Sequence, residues 1–254
     1  MSVSKIKATV FSQEQLASDV FSMWLEVGSI ASEAKPGQFI SVYSNDDSKL
    51  LPRPISICEI DRENGRLRIV YRVVGYGTKE FSGCKAGDTL DIMGPLGNGY
   101  TLKKDKAILV AGGIGVPPML ELAKELDCEK TIVLGYRDEL FLNKEFEQYG
   151  KVVIATEDGS CGTKGNVLDA IRAESVDGQV IYSCGPTPML RAIKEYAAEQ
   201  NIECWISMEE RMACGIGACL ACVCKSKEKD AHSNVKNKRI CKEGPVFLAQ
   251  EVEF

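Results

Sequence analysis

Four cysteines near the C-terminus are spaced for redox chemistry. Cys214, Cys219 and Cys222 are separated by four and then two residues, and Cys241 stands further on. Cys-x4-Cys-x2-Cys with a distant fourth cysteine is the plant-type spacing, in which four thiolates hold the two irons of a [2Fe–2S] cluster. Gly215, Ile216, Gly217, Ala218, Leu220 and Ala221 lie between them. Mostly small, they let the backbone wrap a cluster and aim N–H groups at its sulfurs. A zinc site more often pairs Cys-x2-Cys knuckles at both ends, and here the leading gap has no matching knuckle. Cys224 competes for the fourth position. Cys241 is preferred because a distant cysteine closes the loop across the other iron, and because Cys222 and Cys224 are expected to point to opposite sides of an extended chain.

Two further sets of residues suit nucleotides. Val110-Ala111-Gly112-Gly113-Ile114-Gly115-Val116-Pro117-Pro118 follows an apolar run and opens a helical pattern. Gly112, Gly113 and Gly115 let backbone N–H groups approach a pyrophosphate at the positive end of the helix, although Pro118 occupies the third glycine position of the strict fingerprint. Tight strand–helix packing is the competing explanation of these glycines. Cys184-Gly185-Pro186 closes another strand, so its loop is expected at the same carboxyl edge, where open α/β sheets bind ligands. Earlier in the chain, Arg53-Pro54-Ile55-Ser56 supplies a guanidinium and a hydroxyl suited to a phosphate or a flavin ring edge. Tyr71-Arg72 and Gly75-Tyr76-Gly77-Thr78 add an aromatic ring, a second guanidinium and an exposed turn beside a hydroxyl.

These residues need elements to position them. From Lys5 to about Gly99 the sequence runs in short alternating segments, such as Lys5 to Val10, Val20 to Val27, Gln38 to Tyr43 and Arg66 to Val73. Lys35-Pro36-Gly37 and Glu63-Asn64-Gly65 separate them as turns, and Asn-Gly between two runs marks a hairpin. About six such strands predict an antiparallel β-barrel. After Tyr100 the rhythm changes to strand, turn and amphipathic helix, repeated: Ala107 to Val110, then Pro117 to Leu126; Thr131 to Leu134; Val152 to Ala155, then Asn166 to Arg172; Val180 to Tyr182, then Thr187 to Gln200. That alternation predicts a parallel sheet covered on both faces. The fold class is therefore multi-domain, β followed by α/β, with a small cysteine-rich C-terminal segment.

Composition removes several partners. The 254 residues suffice for two modest domains with a buried core, and 44% apolar with 26% charged residues is ordinary for a globular protein. A net charge of −5 leaves no broad basic surface for a nucleic-acid backbone. Met1 to Phe11 lacks the apolar core of a secretion signal, so a cytoplasmic location is expected. Ala107 to Leu120 is too short to span a bilayer and is broken by glycines and prolines, so no membrane association is expected. Five of the eleven cysteines crowd between Cys214 and Cys241, which in a chain without a signal reads as metal binding rather than disulfides. Lys225 to Arg239 carries six basic and two acidic residues and is expected to be a solvated hairpin or loop, with His232 in it exposed rather than catalytic.

Barrel, Arg53-Pro54-x-Ser56, glycine loop and Cys184-Gly185-Pro186, in that order, resemble the ferredoxin–NADP reductase superfamily over residues 1–210. With Met212-Ala213 before Cys214, and Lys242-Glu243-Gly244-Pro245-Val246-Phe247 after Cys241, the whole chain resembles the electron-transfer subunits of class 1B dihydroorotate dehydrogenases. The resemblance implies an FAD-binding barrel over 1–100, an NAD-binding domain over 101–211 and a [2Fe–2S] domain over 212–254. It assigns FAD to Arg53, Pro54, Ile55, Ser56, Val70, Tyr71, Arg72, Gly77 and Thr78, and the cluster to Cys214, Cys219, Cys222 and Cys241. NAD is assigned to Gly112, Gly113, Gly115, Cys184, Gly185 and Pro186. It further implies an FMN-containing catalytic subunit, two of each chain in a heterotetramer, that oxidises dihydroorotate while this chain relays electrons to NAD+.

Nicotinamide accepts only hydride, a cluster passes single electrons and flavin does both, so FAD belongs between them. No residue is nominated as a general acid or base. Arg137, after the second strand of the nucleotide domain, could meet a 2′-phosphate, stack on adenine or face solvent. Two other readings compete: a subunit of a ferredoxin-dependent NAD(P)H or sulfide oxidoreductase, and a zinc-stabilised adaptor without enzymatic activity.

Overall fold

The computed structural model describes residues 3–229 and 234–253. Period-two alternation in the first hundred residues turns one face of each strand inward. The strands are β1 (Ser4–Ala17), β2 (Val20–Glu26), β3 (Phe39–Val42), β4 (Arg53–Asp61), β5 (Arg66–Arg72) and β6 (Thr89–Leu96), with helices α1 (Ser29–Glu33) and α2 (Tyr76–Phe81) between them. They pair antiparallel in the order β1-β2-β5-β4-β3-β6 and close into the six-stranded barrel that the alternating runs predict. Ile40, Val42, Ile57, Leu67, Ile69, Leu90 and Ile92 fill its interior. Glu63-Asn64-Gly65 makes the β4–β5 hairpin, with Gly65 at φ +64°, a conformation that favours glycine, and packed close on Gly28.

A parallel sheet follows. It is built from β7 (Ala107–Gly112), β8 (Lys130–Tyr136), β9 (Lys151–Thr156), β10 (Thr163–Lys164), β11 (Val180–Cys184) and β12 (Glu203–Ser207), in the order β10-β9-β8-β7-β11-β12. Buried runs such as Ala107 to Ala111 alternate between its two faces. Helices α3 (Pro118–Glu125) and α4 (Asn143–Phe146) cover Leu109, Ala111 and Leu134, whereas α5 (Val167–Ala173) and α6 (Thr187–Gln200) cover Ile108, Val110 and Val133. Asn166 starts α5 with a capping box: its side chain accepts the Leu168 and Asp169 N–H groups, while Asp169 accepts the Asn166 N–H. Such a cap contributes about 1 kcal/mol.

The cysteine-rich segment is joined to this sheet. It forms β13 (Val223–Ser226), β14 (Asn237–Arg239), β15 (Val246–Leu248) and β16 (Val252–Glu253). β14-β13-β16 make a small sheet, but β15 adds antiparallel to β12, pairing Ile206 with Phe247 and Ser207 with Val246. One apolar core accordingly holds Phe39 and Leu96 of the barrel, Val110 and Ile206 of the sheet, and Cys222, Ile240 and Cys241. The hairpin expected between Lys225 and Arg239 is β13–β14; His232 lies outside the described residues.

Polar contacts also tie barrel to sheet. Glu121 of α3 is fully buried and accepts the Ile60 N–H of β4 at 2.9 Å, with Arg62 at 3.5 Å and Lys124 at 3.6 Å. Burial, reinforced by Glu125 nearby, outweighs these partners and raises its pKa from 4.5 to about 7. Between those values the folded protein holds a proton that the unfolded chain has lost, so stability falls as pH rises through the window. Glu121→Gln keeps an acceptor for Ile60 and removes the titration. Unfolding free energies of the two proteins from urea denaturation should therefore diverge from pH 5 to pH 8 in favour of the variant, by up to about 3 kcal/mol. Parallel pH profiles would reject this account.

Candidate cofactor sites

The loop from Cys214 to Cys222 turns sharply, with Gly215 and Gly217 at φ +70° and +85°, values that favour glycine. Its folding gathers the sulfurs in two pairs. Cys214 Sγ accepts the Ala218 N–H at 3.3 Å, Cys241 Sγ accepts the Gly217 N–H at 3.1 Å, and Cys222 Sγ accepts the Cys241 N–H at 3.4 Å. The Cys219 side chain lies close enough to act on the Cys214 thiol, and that of Cys222 close enough to act on Cys241. Two pairs, one per iron, suit a binuclear cluster, whereas mononuclear zinc gathers its donors around one point. Among the described residues no three His, Cys, Asp or Glu side chains converge in that way.

The loop also favours thiolate. Burial pushes the Cys214 thiol up, but the N–H groups of Ile216, Cys219 and Ala218, together with the Cys219 side chain, outweigh it and bring the pKa down to about 6. Burial and the neighbouring Cys222 hold the Cys241 thiol high, a cost that a cation between the two sulfurs would remove. Arg239 braces the loop by donating to Gly217 O at 3.0 Å while Glu243 clamps its guanidinium.

Cys224 requires a correction. Cys222, Cys224 and Ser226 are buried while Val223 and Lys225 are exposed, so Cys222 and Cys224 share a face instead of pointing to opposite sides. Positions i and i+2 of an extended chain face the same way, about 6.7 Å apart. Position along the strand separates them instead: Cys224 stands opposite Lys238 in the apolar core, and burial raises its thiol to about 11.

The barrel carries a second feature that no motif disclosed. The β4–β5 ladder ends at the pair Ile57–Ile69. Beyond it, Arg53 to Ser56 pair only with β3, and Val70 to Arg72 only with β2. The two strands part, opening a seam between the two segments implied to hold FAD. Ile57 N–H bonds back to Gln38 O on the β3 side, so by alternation Pro54 and Ser56 turn their backbone groups toward the seam. Proline there leaves one fewer donor unpaired. Gly77 closes the end: a Cβ built on it would stand 2.6 Å from Arg53 Nε, so α2 backs directly onto the Arg53 guanidinium.

Other residues of the set contribute differently. Thr78 Oγ1 accepts the Val74 and Gly75 N–H groups at 3.0 and 3.2 Å and is spent on building the turn. The Tyr71 ring lies in the barrel core, stacked on Phe21, with its hydroxyl donating to Gln13 at 2.8 Å. Tyr71 thus offers the seam backbone only. Arg72 pairs with Asp19 at 3.1 Å. Leu50, 82% exposed, and Val74, 80% exposed, flank the opening with Leu51 and Tyr76 and give it an apolar rim. Sequence reasoning missed this rim, for which Leu50-Leu51 ahead of Pro52 was the available signal.

The cluster loop and the seam are neighbours. A Cβ on Gly215 would stand 3.1 Å from Ser41 Oγ, and Ser41 pairs across the barrel wall with Pro54. A single strand, β3, separates the loop from the Arg53–Ser56 strand, and adjacent strands lie about 4.8 Å apart.

At the parallel sheet, β7 and β11 are adjacent, so the glycine loop and Cys184-Gly185-Pro186 meet at the carboxyl edge. Their glycines do different jobs. A Cβ on Gly115 would stand 2.4 Å from Cys184 O, so glycine is required there for backbone packing, whereas one on Gly112 would meet only the Met189 side chain, at 2.6 Å from Sδ. Gly113, at φ +53°, has open space where a Cβ would stand. Cys184 is buried, which raises its thiol to about 12 despite a hydrogen bond with Ser207. Arg137 is exposed at the end of β8. Gly115→Ala forces a methyl onto backbone and is expected to cost about 3 kcal/mol, against roughly 1 kcal/mol of strain for Gly113→Ala. Urea denaturation of both variants measures the difference; equal losses would refute the assignment of roles.

Barrel, parallel sheet and thiol-bearing segment, in this order, define a ferredoxin–NADP-reductase-type flavoprotein fold with an iron–sulfur extension. The family model for the oxidoreductase FAD-binding domain matches residues 7–100, and that for the iron–sulfur cluster binding domain of dihydroorotate dehydrogenase B matches residues 209–253. The dihydroorotate dehydrogenase B (NAD(+)) electron transfer subunit of Fusobacterium nucleatum is 44% identical over 97% of this chain and 97% of its own. That of Caldanaerobacter subterraneus is 43% identical over 98% of this chain and 99% of its own. The chain belongs to the family of dihydroorotate dehydrogenase B electron transfer subunits. Among solved structures, a chain of the NADH-dependent reduced ferredoxin-NADP oxidoreductase superposes with a TM-score of 0.87 at 31% identity, covering 97% of this chain and 89% of that one.

Proposed function

We propose that this chain is the electron-transfer subunit of an NAD+-reducing dihydroorotate dehydrogenase, a step of pyrimidine biosynthesis. The observation that carries the reading is the adjacency of two prepared sites, the paired sulfurs of Cys214/Cys219 and Cys222/Cys241 and the open β4–β5 seam, with one strand between them. When bound, the cluster exchanges single electrons, nicotinamide exchanges hydride, and flavin converts one into the other.

The protein's task is to bind and orient. Cys214, Cys219, Cys222 and Cys241 hold [2Fe–2S], and the N–H groups of Gly217 and Ala218 already aim at sulfur. Arg53, fixed over Gly77, supplies the positive charge at one end of the seam. Arg53 to Ser56, Val70 to Arg72 and the Gly77–Thr78 turn hold FAD there. Gly112 to Gly115 and Cys184 to Pro186 receive NAD at the sheet edge. The catalytic partner is an FMN-containing subunit, in a heterotetramer with two of each chain in the cytoplasm. Among the described residues no helix is long and apolar enough to cross a membrane.

Co-expression with the catalytic subunit tests this. A complex that reduces NAD+ with dihydroorotate is expected. Because the reduced ferredoxin-NADP oxidoreductase chain aligns over nearly the whole length, reduced ferredoxin is the second donor to assay. Activity with ferredoxin and none with dihydroorotate would overturn the proposal, as would a colourless, zinc-loaded protein.

A further inference from the structure

Ser41 stands in the wall between the two sites. It is fully buried on β3, and its Oγ has no hydrogen-bond partner among the described residues. An orphaned buried hydroxyl costs about 1–3 kcal/mol, which alanine in the same space would avoid. Leu96 and Met93 close around the same point, and the Pro54 backbone, paired opposite, turns away toward the seam. The cluster loop is a direct neighbour, since a Cβ on Gly215 would stand 3.1 Å from the hydroxyl. Alternation puts Ser41 on the outer face of the barrel with Phe39 and Tyr43, while Ile40 and Val42 fill the interior. Tyr43, two residues along that face, lies close enough to feel the charge of Cys214.

We propose that Ser41 is a positioning residue for the redox centre, donating its hydroxyl hydrogen bond to sulfur on the Cys214 side of the cluster. The donor favours the more negative, reduced state. This rests on the reading that the four cysteines hold [2Fe–2S].

The test uses the full chain with cluster and FAD in place. Ser41→Ala should shift the one-electron reduction equilibrium of the cluster about tenfold against reduction, or about 59 mV. Pulsed EPR of the reduced cluster in D2O should lose one exchangeable-proton coupling, with iron, sulfide and flavin contents unchanged. Ser41→Thr, which keeps the hydroxyl, should restore both signals. An unchanged cluster potential with an unchanged proton coupling in Ser41→Ala would overturn the proposal and leave Ser41 a packing residue. A shift confined to the flavin would also overturn it, placing the hydroxyl in the seam. Absence of a [2Fe–2S] signal from the unsubstituted chain would instead remove the cluster reading itself, and the proposal with it.

Discussion

Cys241→Ser should abolish the [2Fe–2S] absorption and the electron transfer that depends on it, whereas Cys224→Ser should leave both in place. The two thiols are buried in the same apolar core, so exposure does not separate them. Hydrogen bonding does. Cys241 Sγ receives the Gly217 N–H, and the Cys241 N–H reaches Cys222 Sγ, so this one residue joins the loop to the C-terminal segment twice. Cys224 instead faces the β13–β14 ladder opposite Lys238. Serine at 241 removes one of the two donors to the second iron and weakens the other's setting. Serine at 224 buries a hydroxyl in apolar surroundings, at about 1–3 kcal/mol, without touching the sulfur pairs. Iron and acid-labile sulfide analysis with visible spectroscopy decides. FAD should remain bound in both variants, because the seam takes no residue from this segment. Cluster loss in Cys224→Ser with retention in Cys241→Ser would reverse the ligand assignment.

The contrast between these cysteines shows what the sequence could carry. Spacing identified the group of five, and the distant position of Cys241 suggested its role, but facing direction was misjudged because a two-residue step returns to the same side of a strand. Alternation made the barrel legible, and strand–helix rhythm made most of the parallel sheet legible. β12 and β15 were not: Glu203–Ser207 follows α6 without a glycine or proline turn signal of its own and extends the sheet along β11, and Val246–Leu248, three residues long, becomes a strand only by pairing with β12. The seam was invisible for a related reason: it exists where a ladder stops, and no residue type marks that. Motif residues also changed role once packed. The Tyr71 ring lies in the barrel core, Thr78 Oγ1 bonds the turn, and Gly115 lies against the Cys184 carbonyl, contacts that the motifs alone do not reveal. Ser41, one hydroxyl in the run Phe39-Ile40-Ser41-Val42, gave no signal until its lack of a partner could be seen.

Arg68→Met should destabilise the protein by about 3–5 kcal/mol, the range for removing one partner of a buried ion pair. Arg68 is on β5 but faces out of the barrel, and its side chain is only 6% exposed. Every nitrogen is engaged. Nε donates to Ser22 Oγ at 2.9 Å, Nη1 reaches Glu59 at 2.7 Å and Glu145 at 2.5 Å, and Nη2 reaches Glu145 at 3.2 Å and Glu14 at 3.4 Å. Glu145 belongs to α4 of the sheet domain, so its two-oxygen grip on the guanidinium holds barrel and sheet together. Methionine fills the volume but leaves Glu59 and Glu145 facing each other without a cation. For a chain of this length the loss corresponds to a melting temperature lower by roughly 6–20 °C. Arg68→Lys should recover part of it, since an ammonium cannot reproduce the planar fork. Glu145→Gln should cost about 1 kcal/mol, because Glu145 is 39% exposed and water partly replaces the pairing. This order of effects distinguishes an interdomain clamp from ordinary packing, in which Arg68→Met would be nearly silent. If the clamp fixes the angle between the seam and the carboxyl edge of the sheet, Glu145→Gln should also lower NAD+ reduction at temperatures where the protein remains folded, while cluster and flavin contents stay constant. Unaltered turnover in Glu145→Gln would confine the clamp to stability.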